Sequence, residues 1–157
     1  MYRKVLVCLD GSRLAEEILP FALEQAKRFD STITLFRAYS APYNISLAVP
    51  GTSGVPMEIR SLEKQLIEDE KEAEIYLQSL SDKLQTETTF KVSYAKVLGA
   101  AGQAIVEYCK NEDMELIAIA THGRSGLGRV LLGSVADYVI RHSSVPILLF
   151  RPTGEKT

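Results

Sequence analysis

Four short apolar runs, each far enough from the next to leave room for a helix, constrain this chain to a sheet built through crossover connections. The runs are Val5-Leu6-Val7-Cys8-Leu9, Ile33-Thr34-Leu35-Phe36-Arg37-Ala38-Tyr39, Glu115-Leu116-Ile117-Ala118-Ile119-Ala120 and Val145-Pro146-Ile147-Leu148-Leu149-Phe150. Continuous apolar runs of this length are the pattern of strands covered on both faces. A further segment, Thr89-Phe90-Lys91-Val92-Ser93-Tyr94-Ala95-Lys96-Val97, alternates apolar and polar residues, as a strand at a wetter sheet edge does.

Helical patterns fill the intervals. Asp10-Gly11-Ser12 is a turn cluster that doubles as a helix start, with Ser12 as N-cap and Glu16 and Glu17 where the helix dipole favours acid. Ala15, Ile18, Leu19, Ala22, Ala26 and Phe29 form its apolar stripe, and Pro20 removes a backbone bond, so a kink is expected there. Residues 41–58 follow the second strand, rich in Pro, Gly and Ser and without a period; so long a connection is functional or mobile. Leu62, Leu66, Ala73, Leu77, Leu80 and Leu84 then mark a long helix, and Glu63, Lys64, Glu68, Glu70, Lys71 and Glu74 read as its solvated face. Gly99-Ala100-Ala101-Gly102 leads into a short helix around Ile105 and Cys109, and Gly133-Ser134 opens another containing Val135, Val139 and Ile140.

Alternation of this kind gives a mostly parallel sheet with right-handed crossovers and helices on both faces. The expected fold class is therefore α/β with an open five-stranded sheet; if the first three strands wind one way, the fourth returns to the other side of strand 1, which gives the order 3-2-1-4-5. One domain over 1–152 is expected, followed by a flexible tail at 153–157.

Composition narrows the partners. The chain has 157 residues, enough to bury about 70% of its unfolded surface. Its 46% hydrophobic and 24% charged residues are those of a globular protein. A formal net charge of −2 offers no general attraction to nucleic acid or anionic membranes. No apolar run approaches the ~20 residues of a bilayer span, and the start has too short an apolar segment for a signal peptide. The expectations are no membrane partner, no nucleic-acid partner and a cytoplasmic location. Cys8 and Cys109 sit in apolar patterns and read as buried small hydrophobes; neither belongs to a CxxC, so no metal site is expected.

Open α/β sheets bind ligands at the carboxyl ends of their strands, where the strand order reverses. Here that point lies between the exits of strands 1 and 4, Leu9-Asp10-Gly11-Ser12 and Ala120-Thr121-His122-Gly123. The glycine-rich segment continues to Gly133-Ser134. Glycines let backbone N–H groups approach an anion, and a helix start adds unpaired donors. Hydrogen bonds to a charged partner contribute ~1.5–3 kcal/mol each, against ~0.3–1 kcal/mol for the helix dipole. Arg124 or Arg129 could add a phosphate contact. Glycine clusters after strands also serve as ordinary turns, and Asp10 before Gly-Ser could simply form one, so the residues alone leave both readings open. The segment contains no GxxxxGK[ST], and a dinucleotide fingerprint would follow the first strand.

The stretch Ile117-Ala118-Ile119-Ala120-Thr121-His122-Gly123-Arg124-Ser125-Gly126, then Leu131-Leu132-Gly133-Ser134-Val135-Ala136, resembles the signature of universal stress proteins. The opening Val5 to Ser12 run, Val97-Leu98-Gly99 and the ending Arg141-His142-Ser143-Ser144-Val145-Pro146-Ile147-Leu148-Leu149 resemble the same family in the same order. The resemblance implies an adenine nucleotide alpha-hydrolase-like fold. Nucleotide-binding members carry glycine, two residues, glycine, nine residues, then Gly-Ser or Gly-Thr. Here Gly123 and Gly133-Ser134 keep the second and third elements, while Ala120 stands in place of the first glycine. In a tight site its methyl group would cost ~1–3 kcal/mol; on ordinary strand dihedrals it would cost nothing.

By that resemblance Asp10 would hold the ribose, the backbone at Leu9 and Ala38 would frame the adenine, and Ala120, His122, Gly123, Arg124, Gly133, Ser134 and Val135 would hold ribose and phosphates. The implied ligand is ATP, with a Mg ion held mainly by its phosphates and water. No second carboxylate in the loop could position an attacking water, so fast hydrolysis is not expected. The apolar last strand, 146–150, falls at a sheet edge that needs cover, and family members commonly pair there, so a homodimer is expected. The functional expectation is a dimeric ATP-binding switch or scaffold with an unidentified protein partner. The alternatives are a nucleotide-free interaction scaffold and a slow ATPase or self-phosphorylating enzyme.

Overall fold

The computed structural model describes residues 1–40, 55–121 and 133–152, and for 55–60 the helical backbone alone. Ten elements follow in order: β1 (Lys4–Cys8), α1 (Arg13–Glu16), α2 (Leu19–Phe29), β2 (Thr32–Tyr39), α3 (Val55–Glu87), β3 (Val92–Leu98), α4 (Ala101–Asn111), β4 (Leu116–Ala120), α5 (Ser134–His142) and β5 (Ile147–Phe150). The five strands form one parallel sheet in the order β3-β2-β1-β4-β5, the expected order, with β4 on the far side of β1 from β2.

The unbroken apolar runs follow from burial on two faces. In β1, Val5 and Val7 join a core beneath α1, α2 and α3 with Ala22, Ile33, Leu35 and Leu77. Leu6 and Cys8 point the other way, into a core beneath α4 and α5 with Phe36, Ile105, Ile117 and Val139. Each fully buried aliphatic side chain contributes about 1.5–3 kcal/mol relative to exposure.

Several element boundaries differ from the sequence reading. The expected kinked helix is two helices, α1 and α2, broken at Glu17 and Ile18. Pro20 falls in the first turn of α2, where its missing N–H has no partner to lose. α3 begins at Val55 and so takes the end of the long 41–58 connection; residues 41–54 lie outside the described residues. β3 starts only at Val92, whose N–H donates to Gln85 Oε1 of α3 at 2.9 Å, leaving Thr89, Phe90 and Lys91 outside the strand.

α3 is anchored by its later turns. Ala73, Leu77 and Leu84 are buried, whereas no residue from 61 to 72 is. Glu70 and Glu74 are not merely solvated: both accept from Lys96 Nζ of β3, at 2.9 and 2.7 Å. The helix thus covers the β3 edge with ion pairs at its middle and buried apolar residues from there through its later turns.

Candidate functional site

At the exit of β1, Leu9 N–H donates to Phe36 O at 2.8 Å, the last bond toward β2. The chain then turns. Asp10 Oδ1 accepts from Ser12 N–H at 2.8 Å, and Gly11 has φ +84°, a conformation that favours glycine. Ser12 Oγ accepts from Ala15 N–H at 3.1 Å and caps α1, as its sequence position implies. Asp10 is therefore a turn former whose side chain also stands at the mouth of a cavity.

β2 outruns β1. Arg37, Ala38 and Tyr39 pair with Lys96, Val97 and Leu98 of β3, while pairing to β1 stops at Cys8 opposite Phe36. Tyr39 O accepts from Gly99 N–H, so it faces β3. Successive residues of a strand turn their peptide groups to alternate sides, so those of Ala38 face the space above the end of β1.

On the other side, Ala120 closes β4 opposite Phe150, and Thr121 N–H donates to Phe150 O at 2.8 Å. Ala120 is not among the positive-φ residues, and its methyl packs against the core beneath α1–α3. The alanine at this position needs no glycine-only backbone. α5 opens with Gly133 at the N-cap, which has no side chain to cap with, and Ser134 is the first helical residue. Its leading N–H groups have no intrahelical partners.

These exits enclose a cavity of about 350 Å³. Leu9, Asp10, Ala38, Ala120, Gly133, Ser134 and Val135, all predicted site residues, line it together. His122, Gly123 and Arg124 lie outside the described residues. The sequence reading missed the floor, made by Cys8, Phe36, Ile105, Ile119 and Ala136, and the wall at Leu14, Ala15, Ala101 and Thr121. Thr121 had a visible signal, a polar residue directly after a buried strand. Phe36 and Ile105 had none, since they match any core residue on a strand or helix.

The floor is apolar and chemically quiet. Burial, and secondarily Cys109, pushes the Cys8 thiol well above its usual range. Burial likewise pushes Cys109 up to about 11. Both stay neutral thiols near pH 7, matching the reading of them as buried small hydrophobes. Of the polar residues in the lining, Asp10 and Ser134 are exposed, Ser12 is partly exposed and Thr121 is buried. A flat apolar body with polar and charged ends suits this arrangement.

A second cavity, also about 350 Å³, lies beside the first between the starts of α4 and α5, sharing Ala38, Ala101, Ser134 and Val135. Its width is set by close packing: a Cβ on Gly102 of α4 would lie 2.8–2.9 Å from Tyr138 of α5. Tyr138 in turn stacks on His142, centroids 4.0 Å apart, and His142 Nδ1 lies 2.8 Å from Tyr138 O. Among the described residues no group of three His, Cys, Asp or Glu side chains is placed to hold a metal ion.

A model of the universal stress protein family matches residues 1–151. Universal stress protein Sll1388 of Synechocystis sp. is 30% identical over 151 residues, covering 94% of this chain and 97% of that protein. Universal stress protein UspA from Lactobacillus plantarum has a TM-score of 0.77 at 20% identity, over 96% of this chain and 98% of that one. A universal stress protein in complex with cAMP has a TM-score of 0.62 at 20% identity, over 97% and 98%. A universal stress protein family protein from Arabidopsis thaliana with AMP bound has a TM-score of 0.63 at 15% identity, over 97% and 93%. At such identities these three structures attest the fold alone.

Proposed function

We propose, from the premise that the chain belongs to the universal stress protein family, that it is an adenine-nucleotide-binding module acting as a dimeric switch or scaffold. One observation carries the reading: Leu9, Asp10 and Ala38 from one half of the sheet and Gly133, Ser134 and Val135 from the other line a single cavity with an apolar floor. That two proteins of the same fold hold AMP and cAMP supports it.

Each part of the ligand has a matching group. Adenine offers an acceptor and a donor side by side on its Watson–Crick edge, complementary to the N–H and C=O that Ala38 turns away from β3. Guanine presents the reverse pair and is disfavoured. Asp10 accepts from the ribose hydroxyls. The phosphates lie toward the N–H groups of Ser134 and Val135, with the Ser134 hydroxyl beside them. His122, Gly123 and Arg124 complete this end, and a Mg ion is held mainly by phosphate oxygens and water.

Among the described residues Asp10 is the one carboxylate lining the cavity, and it stands at the nucleoside end. ATP is thus bound rather than rapidly hydrolysed. β5 is an edge strand with Leu149 40% exposed. Phe150 packs against the half-exposed Phe21 at 4.7 Å, making an apolar edge that a second copy would cover through 146–150. Among the described residues no helix is long and apolar enough to cross a membrane; a cytoplasmic location is part of the proposal.

Titration calorimetry with ATP, AMP and GTP, with and without Mg²⁺, tests this. Adenine nucleotides should bind and GTP should bind at least about tenfold more weakly, a difference of about 1.4 kcal/mol. Absence of heat at millimolar ATP refutes nucleotide binding. A monomeric mass by light scattering at micromolar concentration refutes the dimer.

A further inference from the structure

We infer that Arg37 is a positioning residue that sets the preference for a ribose bearing both hydroxyls, acting through Gly11 on Asp10; this rests on the nucleotide reading above. Arg37 is not part of the cavity wall. Its guanidinium instead lies behind the turn that carries Asp10: Nη1, Cζ and Nη2 are 3.1, 3.2 and 3.4 Å from where a Gly11 Cβ would be. Three nearly equal distances mean that the flat face of the group rests on the glycine, filling the space a side chain would take.

The group is itself held in place. Arg37 Nη2 donates to Glu72 Oε1 of α3 at 3.0 Å, and Cζ sits over the Tyr76 ring at 5.5 Å. The Tyr76 hydroxyl donates to Glu16 Oε1 at 2.9 Å. Glu16 belongs to α1, the helix capped by Ser12 at the end of the same turn. A closed ring therefore runs from the turn through α1, Tyr76 and Arg37 back to Gly11. The Arg37 side chain is only 17% exposed, so this packing is not a loose surface contact.

The turn holds the hydrogen bond from Ser12 N–H to Asp10 Oδ1, but its centre is a glycine at φ +84° with no side chain to pack. Backing by a flat, rigid cation restricts it, and a lysine cannot present the same face. Only ligand groups that meet Asp10 should sense the loss; the adenine edge, read from Ala38, and the phosphates at α5 should not.

The test compares ATP with 2′,3′-dideoxy-ATP for the wild type, Arg37→Ala, Arg37→Lys, Asp10→Ala and the Arg37→Ala/Asp10→Ala double variant. The wild type should favour ATP by about tenfold, the scale of one hydrogen bond to a charged group. Asp10→Ala should bring the ratio to near unity, and Arg37→Ala and Arg37→Lys should do the same while leaving dideoxy-ATP binding within about twofold. The double variant should lose no more than Asp10→Ala alone. Equal weakening of both nucleotides by Arg37→Ala and Arg37→Lys, or additive losses in the double variant, overturns the inference and leaves nucleotide binding intact. A wild type that binds ATP without preferring it overturns the inference as well. A wild type that binds neither nucleotide overturns the nucleotide reading, and the inference with it.

Discussion

Replacing Gly102 by alanine puts a methyl group into a space already occupied. The new Cβ would lie 2.8 Å from Tyr138 Cδ1 and 2.9 Å from its Cβ and Cγ. Carbon atoms pack best at about 3.5–4.0 Å, so roughly 0.6–1 Å must be found. Turning the Tyr138 ring does not supply it, because the Tyr138 Cβ moves with the helix rather than with the ring. α4 and α5 must part. Overpacking of this kind costs about 1–3 kcal/mol, while alanine in a helix gains about 0.8–1 kcal/mol over glycine. A net loss of about 1 kcal/mol is expected, or ~2–4 °C in Tm for a chain of this size.

Urea denaturation should therefore show a lower midpoint at constant slope. The background decides the cause. Tyr138→Ala removes Cγ and Cδ1 but keeps Cβ, and should relieve Gly102→Ala only in part. Tyr138→Gly removes all three contacts, so in that background Gly102→Ala should become stabilising, by up to about 1 kcal/mol of helix propensity. An equal cost in all three backgrounds, or a stabilising Gly102→Ala in the wild type, refutes the packing argument. The second cavity lies between these helices, so their parting also moves Ser134 and Val135.

Ala120→Gly should not tighten nucleotide binding, because Ala120 already has strand geometry; it should cost about 0.5–1 kcal/mol through glycine in a strand, read from the urea midpoint. A gain of tenfold or more in ATP affinity would show that the methyl does crowd the ligand. Leu77→Ala should cost about 2–5 kcal/mol, whereas Ile67→Ala, at a position 64% exposed, should stay within about 0.5 kcal/mol; similar costs at both would refute anchoring of α3 by its later turns. Stability should fall as pH rises from the usual thiol range near 9.0 toward about 11. Burial raises Cys8, Cys109 and Tyr76 in the folded state, so the unfolded chain releases their protons first and is favoured by alkali. A urea midpoint that is flat between pH 8 and 11 contradicts this, as does rapid labelling of either cysteine in the folded protein at pH 8.

Strand identity was legible in the chain because a strand buried on both faces must be apolar throughout, as Val5 to Leu9 and Leu116 to Ala120 are. The strand exits showed the candidate site for a related reason: polar and glycine residues directly after such runs mark where the backbone leaves the core. Asp10, Gly133 and Ser134 stood out in this way, Ala38 came only from the family resemblance, and all four line one cavity. Boundaries were less legible. Pro20 fits a kink and a first helical turn equally well, and the structure puts it in the first turn of α2.

Local pattern thus determined the strands and the polar exits where a ligand would lie, since periodicity and turn chemistry are properties of neighbouring residues. Tertiary structure alone decided what stands behind those residues. Glu70 and Glu74 look like surface charge until β3 brings Lys96 beneath them. Arg37 looks like one polar residue in a strand until α3 holds it against Gly11. Gly102 looks like a helix breaker until α5 fills its empty side with Tyr138. Each partner lies some thirty residues away in the chain, where no periodicity can point to it, and the contact exists only once the helices have closed over the sheet.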